Sequence, residues 1–327
     1  MKIDTYILLL LSSLLLAACT QDNDWTGENP ETPRKGTVRL NLQSASISVD
    51  TRSTTPQDPQ TDNPMYDLCL LHYNFEGQLV EVQTENFRGQ GGNPDQPELS
   101  YTWDIPLTID PQGRAETICL IANMEGRYPT WPVRLAELKE KYVDLDYNAA
   151  NGMIADRRMY MFGYYEGPVT DEADIHILMG RMAAAVKFVI TAPDVAPVTL
   201  PSLKVIGIEI LNRPSQSYFY PNPSANLSFE DFSEPSFTFA ANNVITNNTE
   251  ELIYYYQIGE NISPVVDLSA SPAVDNRTKV RIKAEYGNLG EKTYIVDLGC
   301  DPPTVPEADR NYSLYRNNNY TFHIALK

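Results

Sequence analysis

Residues 279–299 read KVRIKAEYGNLGEKTYIVDLG, and their two-residue alternation decides the fold class. Apolar side chains recur at every second position on each side of a Gly-Asn-Leu-Gly turn, namely at Val280, Ile282, Ala284, Tyr286, Tyr294, Val296 and Leu298. A helix would place them three or four positions apart. The pattern therefore predicts a β-hairpin with one buried face.

Further strands are predicted outward from this hairpin. TVRLNLQ at 37–43 alternates in the same way, while MYDLCLLHYNFEGQLVEV at 65–82 is apolar on both faces, as in a central strand followed by its hairpin partner. The stretches 101–110 and 115–126 are predicted to pair around a Pro-Gln-Gly turn. YTFHIAL at 320–326 closes the chain as a final strand. Together these stretches predict a mostly β protein.

One segment favours a helix. VRLAELKEKY at 133–142 follows a proline and places Leu135 and Leu138 on one side. Little else in the sequence could hold a long helix, since the composition includes 24 Pro and 20 Tyr.

Length and charge limit the function classes. The chain has 327 residues and a net charge of −18, so the basic field that attracts nucleic acid is missing and no nucleic-acid partner is expected. Two β-sandwich domains are predicted, at 37–185 and 186–327, joined near residues 180–190.

The amino terminus predicts export. Lys2, the apolar run 6–18 and small residues before a cut site are typical of a secretory signal peptide, predicted at 1–18. Leu16-Ala17-Ala18-Cys19 resembles a bacterial lipobox, which implies lipid on Cys19 and a tether at 19–36. A signal cut elsewhere, with Cys19 as an ordinary thiol, is the alternative. The acidic residues after Cys19 suit either a surface-export signal or a solvated linker.

No catalytic, cofactor-binding or metal-binding residues are predicted. The three His are far apart in sequence and stand at no zinc-ligand spacing from Cys or carboxylates. No HExxH, GxSxG, P-loop or GxGxxG motif occurs. Carboxylates such as Glu116 and Glu125 are expected on solvated faces. We therefore expect a protein that is not an enzyme.

The cysteines after Cys19 are Cys69, Cys119 and Cys300. Cys69 and Cys119 lie in apolar strand-like runs, where free thiols behave as small hydrophobes. Buried thiols are favoured, and a bridge between these two remains open.

Clustered tyrosines are the candidate ligand contacts. Tyr218 and Tyr220 in SQSYFYPNP could stack on sugar rings or anchor a protein partner. The ordinary alternative is that such tyrosines cover the core. A surface glycan-binding lipoprotein is therefore one alternative function.

An ordered set of motifs resembles the fimbrillin-like proteins of Bacteroidetes type V pili. The set comprises the lipobox, a first strand followed by DTRS, YDLCLLHYNFEGQLVE, ICLIANMEG, MYMFGYYEG, MGRMAAAVKFVI with Arg181, YYYQIGEN and YRNNNYTFHIAL. The last is similar to the family's Arg-Asn-x-x-Tyr strand. Each motif is weak alone, but together they span nearly all of the chain after the signal peptide.

The resemblance implies two transthyretin-like β-sandwich domains and a structural, adhesive subunit of a surface fimbria. It implies assembly in which a trypsin-like protease cuts after an Arg, the first strand leaves, and a strand of another subunit replaces it. Arg52 is the best candidate for this cleavage, because it follows the first strand in a Pro-rich loop. A cut at Arg34 would leave the strand in place, and Arg39 lies within the strand. Expected partners are other fimbrial subunits, the outer membrane through Cys19, and surface ligands of host or bacteria. The expected location is the outer-membrane surface and the fimbrium.

The position within the fimbria stays open between tip, stalk and anchor. Stalk subunits carry a donor segment after the Arg-Asn-x-x-Tyr strand, whereas this sequence ends about seven residues beyond Tyr320. That favours a tip or minor subunit. A non-cleaved, lipid-bound anchor is the alternative.

Overall fold

A computed structural model describes residues 33–45, 47–50, 64–87, 98–124, 127, 130–149, 153–154, 159–192, 202–222, 227–233, 243–246, 250–299, 301, 305–306 and 309–326. The predicted signal peptide, Cys19, most of the tether, Arg52 and Cys300 lie outside these residues. What is described is mostly β-strand, as predicted.

The first half of the chain forms a seven-stranded sheet in the order β4-β3-β6-β8-β9-β1-β5. Its strands are β1 (Arg34–Ala45), β3 (Asp67–Tyr73), β4 (Leu79–Asn86), β5 (Ser100–Ile109), β6 (Ala115–Ala122), β8 (Met161–Pro168) and β9 (Asp174–Arg181). The strand β1 begins three residues before the alternating stretch that predicts it, and β3 is buried on both faces as expected.

The predicted pairing of β5 with β6 is wrong. Among the described strands β5 pairs with β1 alone, whereas β6 lies between β3 and β8. The sheet curls so that its outer strands approach: Thr108 N of β5 donates to Glu81 Oε2 of β4 at 3.1 Å, and Gln83 Nε2 donates to Pro106 O at 2.8 Å. The turn after β5 therefore crosses between two parts of a curled sheet instead of closing a hairpin.

Two apolar clusters cover the faces of this sheet. The inner one includes Val38, Leu40, Leu68, Leu70 and Ile105. The outer one holds alternate residues of β3 and β6 together with side chains from later in the chain, namely Cys69, Leu71, Tyr73, Cys119, Ile121, Met182 and Phe219 among others. Because β3 supplies both clusters, it has no solvated face.

The second half forms two further sheets. One has the order β15-β10-β20-β2, from β2 (Ile47–Asp50), β10 (Ala183–Thr191), β15 (Glu251–Gly259) and β20 (Asn318–Ala325). The other has the order β13-β11-β18-β19, from β11 (Leu203–Pro214), β13 (Phe229–Ser233), β18 (Lys279–Tyr286) and β19 (Glu291–Asp297). Short strands are β7 (Tyr142–Asp144), β12 (Gln216–Tyr218), β14 (Val244–Ile245), β16 (Val266–Asp267) and β17 (Val274–Asp275).

These two sheets share one core. It contains Val186 and Phe188 of β10, Val205 of β11, Ile282 of β18 and Tyr320 of β20, all of them buried. The hairpin prediction for 279–299 is confirmed, since β18 and β19 pair from Lys279 opposite Asp297 to Glu285 opposite Glu291. The predicted domain boundary between residues 185 and 186 falls within β10, and the division into two domains stays a prediction.

The helix is shorter than predicted. α1 spans only Leu135–Lys139, with Leu138 buried. Arg134 is extended and forms a bridge to Gln78, and Tyr142 opens β7, which pairs with β12. Strand pairing thus overrides the helical pattern at both ends.

Candidate functional site

The first strand lies in a groove of the curled sheet. β1 runs antiparallel to β5, from Arg34 opposite Ile109 to Gln43 opposite Ser100. On its other side it runs parallel to β9, from Arg39 opposite Asp174 to Ala45 opposite Gly180. Backbone groups of both β5 and β9 therefore pair with β1, the first described strand of the sequence.

Apolar side chains fix the register of β1. Val38, Leu40 and Leu42 are buried in the inner cluster, as the alternation predicts. A slip by one residue would turn all three towards the opposite face. Burying a Leu or Val side chain stabilises by about 1.5–3 kcal/mol, so these three residues hold the strand strongly.

Polar contacts of β1 lie on the other face. Arg39 Nε donates to Asp104 Oδ1 at 2.8 Å, with both side chains more than half exposed. The hydrogen bond from Arg39 lowers the pKa of Asp104 below its usual value. Lys35 Nζ lies 2.6 Å from Glu81 Oε1. Water screens such surface ion pairs and leaves them a small net contribution, so the apolar face dominates the hold on β1.

Beyond β1 the chain passes to another sheet. β2 runs parallel to β20, with Ile47 beside Asn318 and Asp50 beside Thr321, and forms the edge of the four-stranded sheet. The segment 34–50 thus adds a strand to each half of the molecule. The predicted cleavage site, Arg52, follows β2 by two residues in sequence and lies outside the described residues.

This arrangement suits strand exchange. Without residues 34–50, the facing edges of β5 and β9 would present unpaired N–H and C=O groups along an apolar slot, and β20 would present a free edge. Such edges bind an extended strand through backbone hydrogen bonds, with alternate side chains giving specificity.

Cys69 and Cys119 are free, buried thiols. They lie on adjacent strands, but Cys69 stands opposite Ile121 and Cys119 opposite Leu71, so they are not direct cross-strand neighbours. Burial raises the pKa of each thiol to about 12.

The candidate ligand tyrosines lie at the packing between the two halves. Tyr220 Oη lies 3.3 Å from Cys119 Sγ, and its ring lies 5.0 Å from that of Tyr164. Burial raises the pKa of Tyr220. Tyr218 of β12 packs on Tyr142 of β7 with 5.5 Å between ring centroids.

Sequence reasoning missed the partners of these tyrosines. Tyr142 is 44% exposed and Tyr164 48% exposed, so each pair presents aromatic surface. Tyr164 belongs to MYMFGYYEG, whose outward-facing alternate position was a usable signal. The helical pattern of 133–142 includes Tyr142 and gives no sign of its pairing with Tyr218.

One histidine–carboxylate pair is buried within the described residues. His72 Nε2 lies 3.5 Å from Glu116 Oε2, and both side chains are buried inside the sheet. The expectation that Glu116 is solvated is therefore wrong, because β6 turns it towards His72. His176 is exposed on β9 near Asp174. Within the described ranges, no three His, Cys, Asp or Glu residues form a potential metal site.

Among the described residues, none of the helices has the length and apolar character needed to cross a bilayer.

Solved structures of known proteins share this fold. No protein-family model and no curated protein matches the sequence. Solved structures do: the tip fimbrial protein Mfa3 of Porphyromonas gingivalis, with a C-terminal truncation, aligns with a TM-score of 0.59 and 15% identity over 90% of this chain and 96% of that one. A putative cell adhesion protein of Parabacteroides distasonis aligns at 0.52 and 15% identity, over 89% and 91% of the two chains.

A fimbrilin of P. gingivalis W83 aligns at a TM-score of 0.51 with 14% identity, over 89% of this chain and 90% of that one. Sequence identities this low support a shared fold and nothing beyond it. The chain therefore shares the fold of these fimbrial proteins, which confirms the fimbrillin-like resemblance found in its sequence.

Proposed function

We propose that the chain is a structural and adhesive subunit of a bacterial surface fimbria of the type V kind, assembled by exchange of its first strand. The observation that carries this is the course of residues 34–50, which fill a groove in one sheet and then the edge of another. Arg52 stands directly after this segment in the sequence. One cut after Arg52 would free both strands together.

A tip or minor subunit is the position we favour. It is supported by the likeness to a tip fimbrial protein, and a tip subunit accepts a strand without having to donate one. Delivery as an outer-membrane lipoprotein through Cys19 completes the proposal: the lipid would hold the precursor at the surface until residues 19–52 are removed.

Substitution at the cut site tests the proposal. Arg52→Ala should leave the precursor uncut, lipid-bound and absent from fimbriae. Arg34→Ala is the matched control: it removes an Arg at the other end of the same segment, where cutting would not release β1, and should assemble normally. The readout is the fraction of the subunit in sheared surface fibres.

If Arg52→Ala reaches the fibres as well as the unsubstituted chain does, cleavage at Arg52 is not part of assembly. A fibre that contains the uncut, lipidated chain at its base would instead support the alternative role of anchor.

A second candidate function is binding of a surface glycan. Each of the pairs Tyr142–Tyr218 and Tyr164–Tyr220 has one exposed ring, Tyr142 or Tyr164, and an exposed ring can stack on a sugar face. Affinity electrophoresis against a glycan panel tests it: retardation that is lost in Tyr142→Ala and Tyr164→Ala would support this function. No retardation by any glycan would remove it.

A further inference from the structure

A cleft of about 410 Å³ lies between α1 and the curled sheet. Its floor includes Thr117 of β6 and Glu166 of β8, which stand opposite each other in the pairing of these two strands. Its walls are the turn between β3 and β4, at residues 74–78, and α1 with the preceding Arg134. Ligand sites commonly enclose about 300–1,000 Å³, so the cleft has room for part of a small molecule.

The cleft adjoins the ring pair Tyr164–Tyr220. Tyr164 and Glu166 are both exposed and stand two residues apart on β8, so they share one face of that strand. Lys139 of α1 has its Nζ 5.4 Å from the centroid of the Tyr220 ring. Because Glu166 and Lys139 also line the cleft, the exposed Tyr164 ring lies at its edge.

One nearly buried hydroxyl of the cleft lacks a protein partner. Thr117 is 5% exposed and lines the cleft, and its hydroxyl makes no hydrogen bond within the described part of the chain. Most buried polar groups in proteins are hydrogen-bonded. A polar group of a ligand in the cleft would therefore complete the hydrogen bonding of Thr117.

Charges of both signs line the cleft in equal number. The cations are Arg134 and Lys139, and the carboxylates are Glu76 and Glu166. None of these four side chains forms an ion pair with another described residue, so their hydrogen-bonding groups are available to a ligand. The whole chain carries a net charge of −18, which disfavours a polyanion. Hydroxyl groups of a neutral ligand can donate to the carboxylates and accept from the cations.

We propose that Tyr164 and this cleft form one binding site for a neutral oligosaccharide, with one sugar ring stacked on Tyr164 and the next unit in the cleft against Thr117. This rests on the second candidate function, glycan binding, and assigns it to Tyr164 instead of Tyr142. A sugar ring has an apolar face and a rim of hydroxyls. An exposed aromatic ring beside charged hydrogen-bonding groups matches both parts.

Soluble polysaccharides test the ligand class on the intact chain. The neutral probes are mannan, a mixed-linkage β-glucan and galactan, and polygalacturonate is the acidic probe. At least one neutral probe should retard the chain in affinity electrophoresis. Its affinity in titration calorimetry should be equal at about 0.05 and 0.5 M salt, because salt does not screen contacts to an uncharged ligand. Binding of polygalacturonate alone would overturn the neutral class.

Substitutions test the position of the site. Tyr164→Ala should weaken binding about tenfold, and Tyr164→Phe, which keeps the ring, should retain it. Thr117→Val, which has nearly the same shape, should also weaken binding about tenfold, because a sugar hydroxyl loses its partner. Tyr142→Ala removes a ring of similar exposure and is the matched control, which should bind as the unsubstituted chain does.

The outcomes separate this site from glycan binding in general. Binding that is lost in Tyr142→Ala but kept in Tyr164→Ala and Thr117→Val would overturn the site and leave glycan binding standing. No retardation by any probe would remove glycan binding itself, and the site with it. An unchanged circular dichroism spectrum shows that each variant is folded, and Thr117→Val decides the question if Tyr164→Ala does not fold.

Discussion

At the residue scale, the Arg-Asn-x-x-Tyr motif, Arg316 to Tyr320, holds the last strand in place through hydrogen bonds. Arg316 donates to Glu260 and, through Nη1, to Phe219 O at 2.9 Å. Tyr320 is buried and its hydroxyl accepts from Tyr315 N at 2.9 Å. The motif thus ties the start of β20 to β15 and to the packing between the two halves.

Removing the partner of Arg316 should be strongly destabilising. Glu260→Ala leaves a nearly buried guanidinium without its anion, which costs about 3–5 kcal/mol. Glu251→Ala, at the exposed start of β15, the strand that Glu260 directly follows, is the control and should change stability by less than about 0.5 kcal/mol. Urea unfolding followed by fluorescence measures both, and equal effects of the two would contradict this role for Glu260.

Acid should release a contact at the turn after β5. Arg114 donates to Asp110 through Nε and Nη2 and lowers the pKa of that carboxyl to about 2. Because the folded pKa is below the unfolded one, the folded chain binds fewer protons, and the stabilisation is present above about pH 4 and lost as the pH falls towards 2.

Asp110→Asn should therefore be less stable than the unsubstituted chain at pH 7, with the difference shrinking to zero near pH 2. Urea unfolding at several pH values checks this. A difference that does not change between pH 7 and pH 2 would show that the charge of Asp110 contributes nothing.

At the element scale, β1 is held by its apolar face, so truncating that face should loosen the strand most. Leu40→Ala should lower the free energy of unfolding by about 2–5 kcal/mol, because it leaves a cavity between β5 and β9. Gln43→Ala, exposed on the same strand, should cost less than about 0.5 kcal/mol. Chemical denaturation measures both, and a tolerated Leu40→Ala would mean that β1 is held by its backbone alone.

Strands were predictable from the sequence where one face is buried, as at Val38 to Leu42 and in the 279–299 hairpin. Their partners were not, because alternation reports burial of a face and not the identity of the neighbour. β5 and β6 looked like a hairpin but belong to separate parts of the curled sheet. Tyr142 looked helical until β12, distant in sequence, paired with it.

The candidate site, too, was predictable from the sequence in part. A first strand followed by Arg52 is legible in the sequence, whereas the change of sheet between Ala45 and Ile47 depends on long-range pairing with β9 and β20. The sequence identifies Arg181 only as a member of the MGRMAAAVKFVI motif. Its burial beside Asn317 and Asn319 follows from the contact between the end of β9 and the start of β20, which no local pattern encodes.

At the scale of the whole molecule, residues 34–50 add a strand to the curled sheet of the first half and to the four-stranded sheet of the second. A replacement strand that follows the same course would engage both halves at once. This continuity would let one strand link two subunits firmly, through the apolar slot of β1 and the edge of β20 together.

The most direct test is the amino terminus of the subunit recovered from sheared surface fibres, read by intact mass and terminal sequencing. Strand exchange after cleavage predicts a chain that starts at Ser53 and lacks lipid. A chain that starts at a lipid-blocked Cys19 and retains residues 34–50 would contradict the exchange and leave the protein as an uncut, membrane-bound component.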